Sequence, residues 1–156
     1  MPIAYFITFT TYGSWLPGSV KGSVDNEHNV YGTPWVEADA ERERQAREAM
    51  TQVPYVMTSA EREIVCRAMA ELSRERGWDL RAAHVRSNHV HVVVSAERDP
   101  GRLMSDLKSR ASRDLTLARF DDAKRRRWTR HGSTRHLIRE EAVEAAIRYT
   151  LDEQGE

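Results

Sequence analysis

Two histidines, two residues apart, begin a valine-rich segment. The segment HVHVVVSA runs from His89 to Ala96 and has the β-branched composition of a strand. Side chains alternate across a strand, so His89 and His91 share one face and Val90 lies on the other. At roughly 6–7 Å spacing along that face, two imidazoles could converge on one divalent metal ion. Two half-exposed histidines without a common function are the alternative. Other imidazoles that could complete a metal site are those of His84, His131 and His136.

A tyrosine near the C-terminus supplies a candidate nucleophile. The last predicted helix runs from about Arg139 to Glu153, and at 100° per residue Tyr149 lies roughly 160° from Ile147, outside the apolar stripe. Glu153 follows Tyr149 by one turn and shares its face. Gln154 lies roughly 140° around the helix from Tyr149, unless the helix end unwinds. The alternative for Tyr149 is a half-buried structural tyrosine.

Charge is distributed unevenly along a chain whose net charge is zero. The segment 102–139 carries 12 Lys and Arg against 4 Asp and Glu, a net charge of +8, and the segment 140–156 carries a net charge of −5. A basic stripe of this kind is typical of a polyanion-binding surface, with a solvated helix face as the alternative. Trp128 beside it could stack on an unpaired base, although a core position in a strand is favoured. The stripe comprises Lys108, Arg110, Arg113, Lys124, Arg125, Arg126, Arg127 and Arg130.

Length and composition predict one domain that spans residues 1–156, with a variable insertion at about 16–57. No apolar run approaches the roughly 18 residues of a membrane span, and the N-terminus has no secretory leader pattern. Cys66 is the only cysteine, so no internal disulfide can form and a reducing cytoplasm is expected.

Local signals predict the order strand, insertion, helix, strand, strand, helix, strand, helix. Thr58 and Glu61 form a capping box, Gly77 ends that helix, and Asp99-Pro100 begins the next. Residues 126–138 read as a strand or as a hairpin with a Gly-Ser-Thr turn. We expect an α+β fold, a ferredoxin-like or RRM-like antiparallel sheet with helices packed on one face.

Several of these segments together resemble one known family. The sequence is similar to the HUH single-tyrosine transposases in the segment SNHVHVVV, in the basic helix that follows it, and in RHGSTRHL and YTLDEQGE. The opening AYFITFTTYGSWLPG also resembles this family. That family includes the insertion-sequence transposases that act on single strands and the REP-associated tyrosine transposases. HUH denotes histidine, hydrophobic residue, histidine, here residues 89–91. A single tyrosine that follows the histidines favours the transposase branch over relaxases and two-tyrosine initiators.

The resemblance implies a metal-dependent DNA endonuclease and strand transferase. Tyr149 would form a 5′-phosphotyrosine intermediate, and His89 and His91 would hold Mg²⁺ or Mn²⁺. The family places a third ligand four residues after the tyrosine, which is Glu153 here, with Gln154 as the second candidate. The implied partner is single-stranded or hairpin DNA, bound by a cytoplasmic, nucleoid-associated homodimer. Its phosphates would contact Lys108, Arg110, Arg113, Arg126, Arg127 and Arg130.

Three other functions fit parts of the pattern. A domesticated REP-type enzyme would process genomic hairpins without mobilising its own gene. A non-catalytic nucleic-acid-binding module would use the histidines only for packing or phosphate contact. A metal-dependent hydrolase would cut without a covalent step.

Overall fold

The computed structural model describes residues 2–14 and 51–153 of the chain. Its strands are β1 (Ala4–Thr11), β2 (Asp79–Val85), β3 (His89–Ser95) and β4 (Trp128–Leu137). Its α-helices are α1 (Ser59–Arg76), α2 (Pro100–Leu117) and α3 (Glu140–Arg148), and a π-helix (Tyr149–Glu153) follows α3 directly. Most of the insertion predicted at about 16–57 lies outside the described residues, which resume at residue 51.

The four strands form one antiparallel sheet in the order β2-β3-β1-β4. With α1 between β1 and β2, and α2 between β3 and β4, this is the ferredoxin-like arrangement, so the predicted fold class is confirmed. The two inner strands, β1 and β3, are neighbours although about 80 residues separate them. The histidines of β3 therefore lie in the middle of the sheet rather than at its edge.

Helix boundaries follow the local sequence signals. The Thr58 hydroxyl accepts a hydrogen bond from the Glu61 amide (3.2 Å), and the Glu61 carboxylate accepts one from the Thr58 amide (2.8 Å), so the capping box is confirmed. Gly77 ends α1 with a φ of 74°, a left-handed conformation that glycine adopts without a steric penalty. Asp99 caps α2 through the Arg102 amide.

The main core lies between the sheet and helices α1 and α2. Alternate residues of the inner strands point into it, among them Ile7, Phe9, Val90 and Val92, all fully buried. Tyr55, at the C-terminal end of the predicted insertion, is also buried in this core. The segment just before α1 is therefore part of the main core.

The last helix packs on the opposite face of the sheet, a departure from the expectation that all helices share one face. Val143 and Ala146 of α3 pack on Phe6, Val93 and Leu137, which form a smaller second core. Val93 lies on the same strand face as the two histidines, so α3 packs on an apolar side chain beside them. This placement brings the C-terminal segment to the histidine face.

Residues 128–137 form one continuous strand, so the Gly-Ser-Thr turn considered for this segment is not formed. Gly132 lies within β4, where a Cβ atom would come 2.5 Å from the Thr8 carbonyl oxygen and 2.6 Å from the Met104 sulfur. Glycine is needed here because β1 and α2 approach the backbone closely. None of the described helices is both long and apolar enough to cross a membrane.

Candidate active site

The histidine pair lies on the face of β3 that turns away from the main core. The ring centroids of His89 and His91 are 4.9 Å apart, at an interplanar angle of 72°. Phe6 of β1 stacks on the His91 ring, with centroids 5.5 Å apart and planes within 9° of parallel. His91 is only 8% exposed, whereas His89 is half-buried. The pair is therefore fixed from beneath by the sheet and by an aromatic neighbour.

Hydrogen bonds orient both imidazoles. His89 Nδ1 lies 2.8 Å from the Asn88 side-chain oxygen, which can only accept, so Nδ1 carries the proton and Nε2 the lone pair. His91 Nδ1 lies 2.8 Å from the Thr8 hydroxyl, and the same tautomer results when that hydroxyl accepts. Outer contacts of this kind hold metal-binding histidines in the orientation that presents the second nitrogen.

The protonation state of His91 is also the one that a metal-binding histidine needs. Burial, with electrostatic repulsion from His89, His84 and Arg86, lowers the pKa of His91 to about 4. A pKa well below the ordinary value of about 6.5 keeps the ring neutral at physiological pH. A neutral imidazole is the form that binds a metal ion.

Tyr149 lies beside this pair in the same chain. Its ring centroid is 5.6 Å from that of His91 and 6.1 Å from that of Phe6, both in edge-to-face geometry. Tyr149 is 42% exposed, so a ligand on this face can reach its hydroxyl. The sheet face thus combines two oriented imidazoles with an accessible phenol, which is the composition of a nucleophilic site.

The helix that carries Tyr149 changes its hydrogen-bonding pattern at this residue. The α-helix ends at Arg148 and the next five residues form a π-helix, a feature that is frequent at functional sites. The rotation of 100° per residue used to separate Glu153 from Gln154 therefore does not apply here. The Glu153 side chain and the whole of Gln154 lie outside the described part of the structure.

A complete metal cluster is not formed by the described residues. Within 2–14 and 51–153, no group of three or more His, Cys, Asp or Glu side chains is placed to hold an ion. The tautomers of the pair and the neutral state of His91 nevertheless fit two metal ligands. A third histidine, His84, lies opposite His91 in the β2–β3 pairing, and its Nδ1 is 3.0 Å from the Thr150 carbonyl oxygen.

Three of the predicted DNA contacts have structural partners instead. Arg110 binds both carboxylate oxygens of Glu75 at 2.9 Å, and with Asp114 this raises the pKa of Arg110 and ties α2 to α1. Arg127 is 2% exposed and donates to the Ser112 carbonyl within α2 and to the Phe120 carbonyl just beyond it. Lys108 donates to the Thr129 and His131 carbonyls, and burial lowers its pKa to about 8.

The other three predicted contacts, Arg113, Arg126 and Arg130, are exposed. Arg113 borders a cavity of about 440 Å³ between α2 and β4, on the side of the sheet away from the histidines. Trp128 lines the same cavity, but its indole nitrogen donates to the Lys108 carbonyl and the Ser112 hydroxyl, and its ring packs on Phe9. Trp128 is thus a partly buried strand residue packed against the main core, in agreement with the favoured structural role.

Sequence reasoning missed Arg135, a cation on the histidine face. Arg135 pairs with Phe6 across β1 and β4, and its guanidinium lies 5.9 Å from the Phe6 ring centroid. Arg135 is exposed, and none of the described carboxylates forms an ion pair with it. Alternation along β4 would have identified this side chain if the register with β1 had been known.

Comparisons with known proteins agree with this geometry. The model of the family described as "Transposase IS200 like" matches residues 53–137, more than half of the chain, including both histidines but not Tyr149. No curated protein matches the chain. A solved REP-associated tyrosine transposase bound to a REP hairpin is similar in fold, with a TM-score of 0.54 and 10% identity. That match covers 96% of this chain and 66% of the other. The chain belongs to the IS200-like transposases, and so to the HUH single-tyrosine transposase family.

Proposed function

We propose that this protein cleaves and rejoins single-stranded DNA through a covalent bond between Tyr149 and a 5′-phosphate. One observation carries the proposal: the accessible Tyr149 ring lies 5.6 Å from the ring of the oriented, neutral His91. A phosphate held on the histidine face would lie within reach of the tyrosine hydroxyl. A purely structural tyrosine would not need this exposure beside the pair.

The chemistry balances without a further reactant. The Tyr149 oxygen bonds to phosphorus as the bond from phosphorus to the 3′ oxygen breaks, and the phenolic proton is transferred, in the net reaction, to the 3′ oxygen. The products are a 5′-phosphotyrosine and a free 3′-OH. The phosphodiester energy is retained in the tyrosine ester, so the strand can be rejoined without ATP.

Mg²⁺ or Mn²⁺ is the proposed cofactor. His89 and His91 would hold it through their Nε2 atoms, with Glu153 or Gln154 as the further ligand. When bound, the ion would supply charge stabilisation at the phosphate. Asn88 and Thr8 orient the two rings for that purpose, and burial keeps His91 neutral.

The proposed DNA path crosses the histidine face and the β4 edge. Arg135 offers a phosphate contact on that face, and Arg130 lies exposed on β4, the edge strand of the sheet. Arg113 and Arg126 extend the basic surface beyond that edge. Hairpin DNA is the proposed partner because the similar solved transposase is described as bound to a hairpin. The homodimer and the nucleoid-associated cytoplasmic location stay predictions.

A covalent adduct assay tests the proposal. Single-stranded hairpin DNA is incubated with the protein and Mn²⁺, and protein–DNA adducts are counted after denaturation. A label on the 3′ end should remain on the protein, whereas a label on the 5′ end should be released, because the tyrosine holds the 5′-phosphate. Tyr149→Phe should abolish the adduct and leave DNA binding intact.

Matched variants make the result specific. Tyr12→Phe removes a hydroxyl whose described contact is the Thr51 amide, and it should form the adduct at the wild-type rate. His91→Ala should lower the rate at least about 100-fold with the fold retained, since several kcal/mol of charge stabilisation would be lost. An adduct in the Tyr149→Phe variant would exclude this nucleophile, and cleavage without any adduct would indicate a hydrolase.

A further inference from the structure

A hydrogen bond joins strand β2 to the π-helix that carries the tyrosine. His84 Nδ1 lies 3.0 Å from the Thr150 carbonyl oxygen. A carbonyl only accepts, so His84 Nδ1 carries the proton and donates it. The bond spans 66 residues of sequence and ends on the residue that directly follows Tyr149.

The acceptor belongs to the π-helix itself, and the donor belongs to a neighbouring strand. A contact of this kind ties the end of a helix to the element beside it. The Thr150 side chain is fully buried, and its hydroxyl donates to the Ala146 carbonyl at 2.7 Å. Thr150 is therefore held at both its hydroxyl and its carbonyl.

The position of His84 connects this bond to the histidine pair. His84 lies directly opposite His91 in the β2–β3 register, so one row of the sheet carries both the candidate ligand and the donor to Thr150. The described ring contacts of Tyr149 are edge-to-face contacts with His91 and Phe6, each worth roughly 1 kcal/mol. A π-helix of five residues has little stability of its own.

We propose that His84 is a positioning residue that holds the π-helix on β2 and thereby fixes Tyr149 beside the histidine pair of its own chain. The proposal rests on the proposed function, in which Tyr149 is the nucleophile. His84 does not need to touch DNA or metal for this role. Its effect passes through the Thr150 peptide to the neighbouring tyrosine.

Two substitutions separate this role from simple packing. His84→Leu removes the donor and keeps an apolar volume, whereas His84→Asn places an amide NH₂ near the position of Nδ1. In His84→Leu the rate of adduct formation at saturating hairpin DNA should fall about 10- to 100-fold, the loss typical of a nucleophile displaced by about 1 Å. Its DNA Kd should change less than about twofold. His84→Asn should recover most of the rate.

Hydrogen exchange provides a readout that does not depend on activity. The amide hydrogens of residues 149–153 should exchange at least about tenfold faster in His84→Leu than in wild type, while those of β1 and β3 keep their protection. Unchanged exchange would overturn the proposal, even if wild type formed no adduct and the proposed function failed. Mn²⁺ affinity should be equal in all three proteins. A weaker Mn²⁺ affinity in both variants would make His84 a ligand and overturn the positioning role.

Discussion

At the scale of single residues, the existing contacts of each Lys or Arg side chain decide whether it can bind a DNA phosphate. Arg110 and Arg127 belong to the basic stripe in sequence, yet one is bound by carboxylates and the other is buried against backbone carbonyls. Arg135 lies on the histidine face, and no described carboxylate forms an ion pair with it. We therefore expect its guanidinium to be the better phosphate contact, because phosphate would not compete with a described carboxylate.

The salt dependence of DNA binding tests this assignment. Arg135→Ala should weaken binding to single-stranded DNA and reduce the slope of log K against log salt by about 0.7, the change expected for one lost phosphate contact. Arg110→Met, checked for retained fold by circular dichroism, should leave the slope unchanged. Equal slopes for Arg135→Ala and wild type would remove Arg135 from the DNA path.

At the scale of elements, two segments bring the site together. The chain leaves strand β4 and forms α3 on the histidine face of the sheet, and the π-helix then places the tyrosine beside His91. The change of helix type also alters which side chains are buried. An uninterrupted α-helix would place Leu151 on the same apolar face as Val143 and Ile147, yet Leu151 is 54% exposed. The close contact at Gly132 secures β4 against β1 and α2.

A methyl group at Gly132 should therefore disturb the whole strand. Gly132→Ala should lower the free energy of unfolding by about 2–3 kcal/mol, because the new Cβ would overlap a backbone oxygen of β1 that cannot move independently of the sheet. Urea denaturation measures the loss. The neighbouring substitution Ser133→Ala adds no atom and should cost less than about 1 kcal/mol. Equal costs for the two would contradict the close-approach explanation.

At the scale of the whole molecule, the candidate nucleophile and the histidine pair come from one chain. The fold brings Tyr149 to His91 across 58 residues of sequence, and the His84 bond to Thr150 holds the connecting segment on the same sheet. We therefore expect each active site to be built within a single subunit, whether the protein acts as a monomer or as a dimer.

A mixing experiment tests the single-chain site. Tyr149→Phe and His91→Ala proteins are unfolded together, refolded as a mixture and assayed for the covalent adduct. The mixture should be as inactive as either variant alone, since no chain has both residues. If the tyrosine served the partner's histidines, half of the dimers would each regain one site, and about one quarter of wild-type activity would return.

The local features of this protein could be predicted from sequence because they depend on residues a few positions apart. The capping box at Thr58, the caps at Gly77 and Asp99, and the alternation that separates Val90 from the histidines are all of this kind. The order of elements then limited the sheet to a ferredoxin-like arrangement. The family pattern directed attention to Tyr149 even though its helix lies beyond the matched residues.

Tertiary structure decided what depends on distant partners. It placed α3 on the histidine face, changed the helix type at Tyr149, paired Arg110 with Glu75 and joined His84 to Thr150. None of these has a local signal, because each is set by contacts between segments that meet only when the sheet forms. The sequence by itself determined which groups could do chemistry, and the packing of α3 and β2 determined which of them meet.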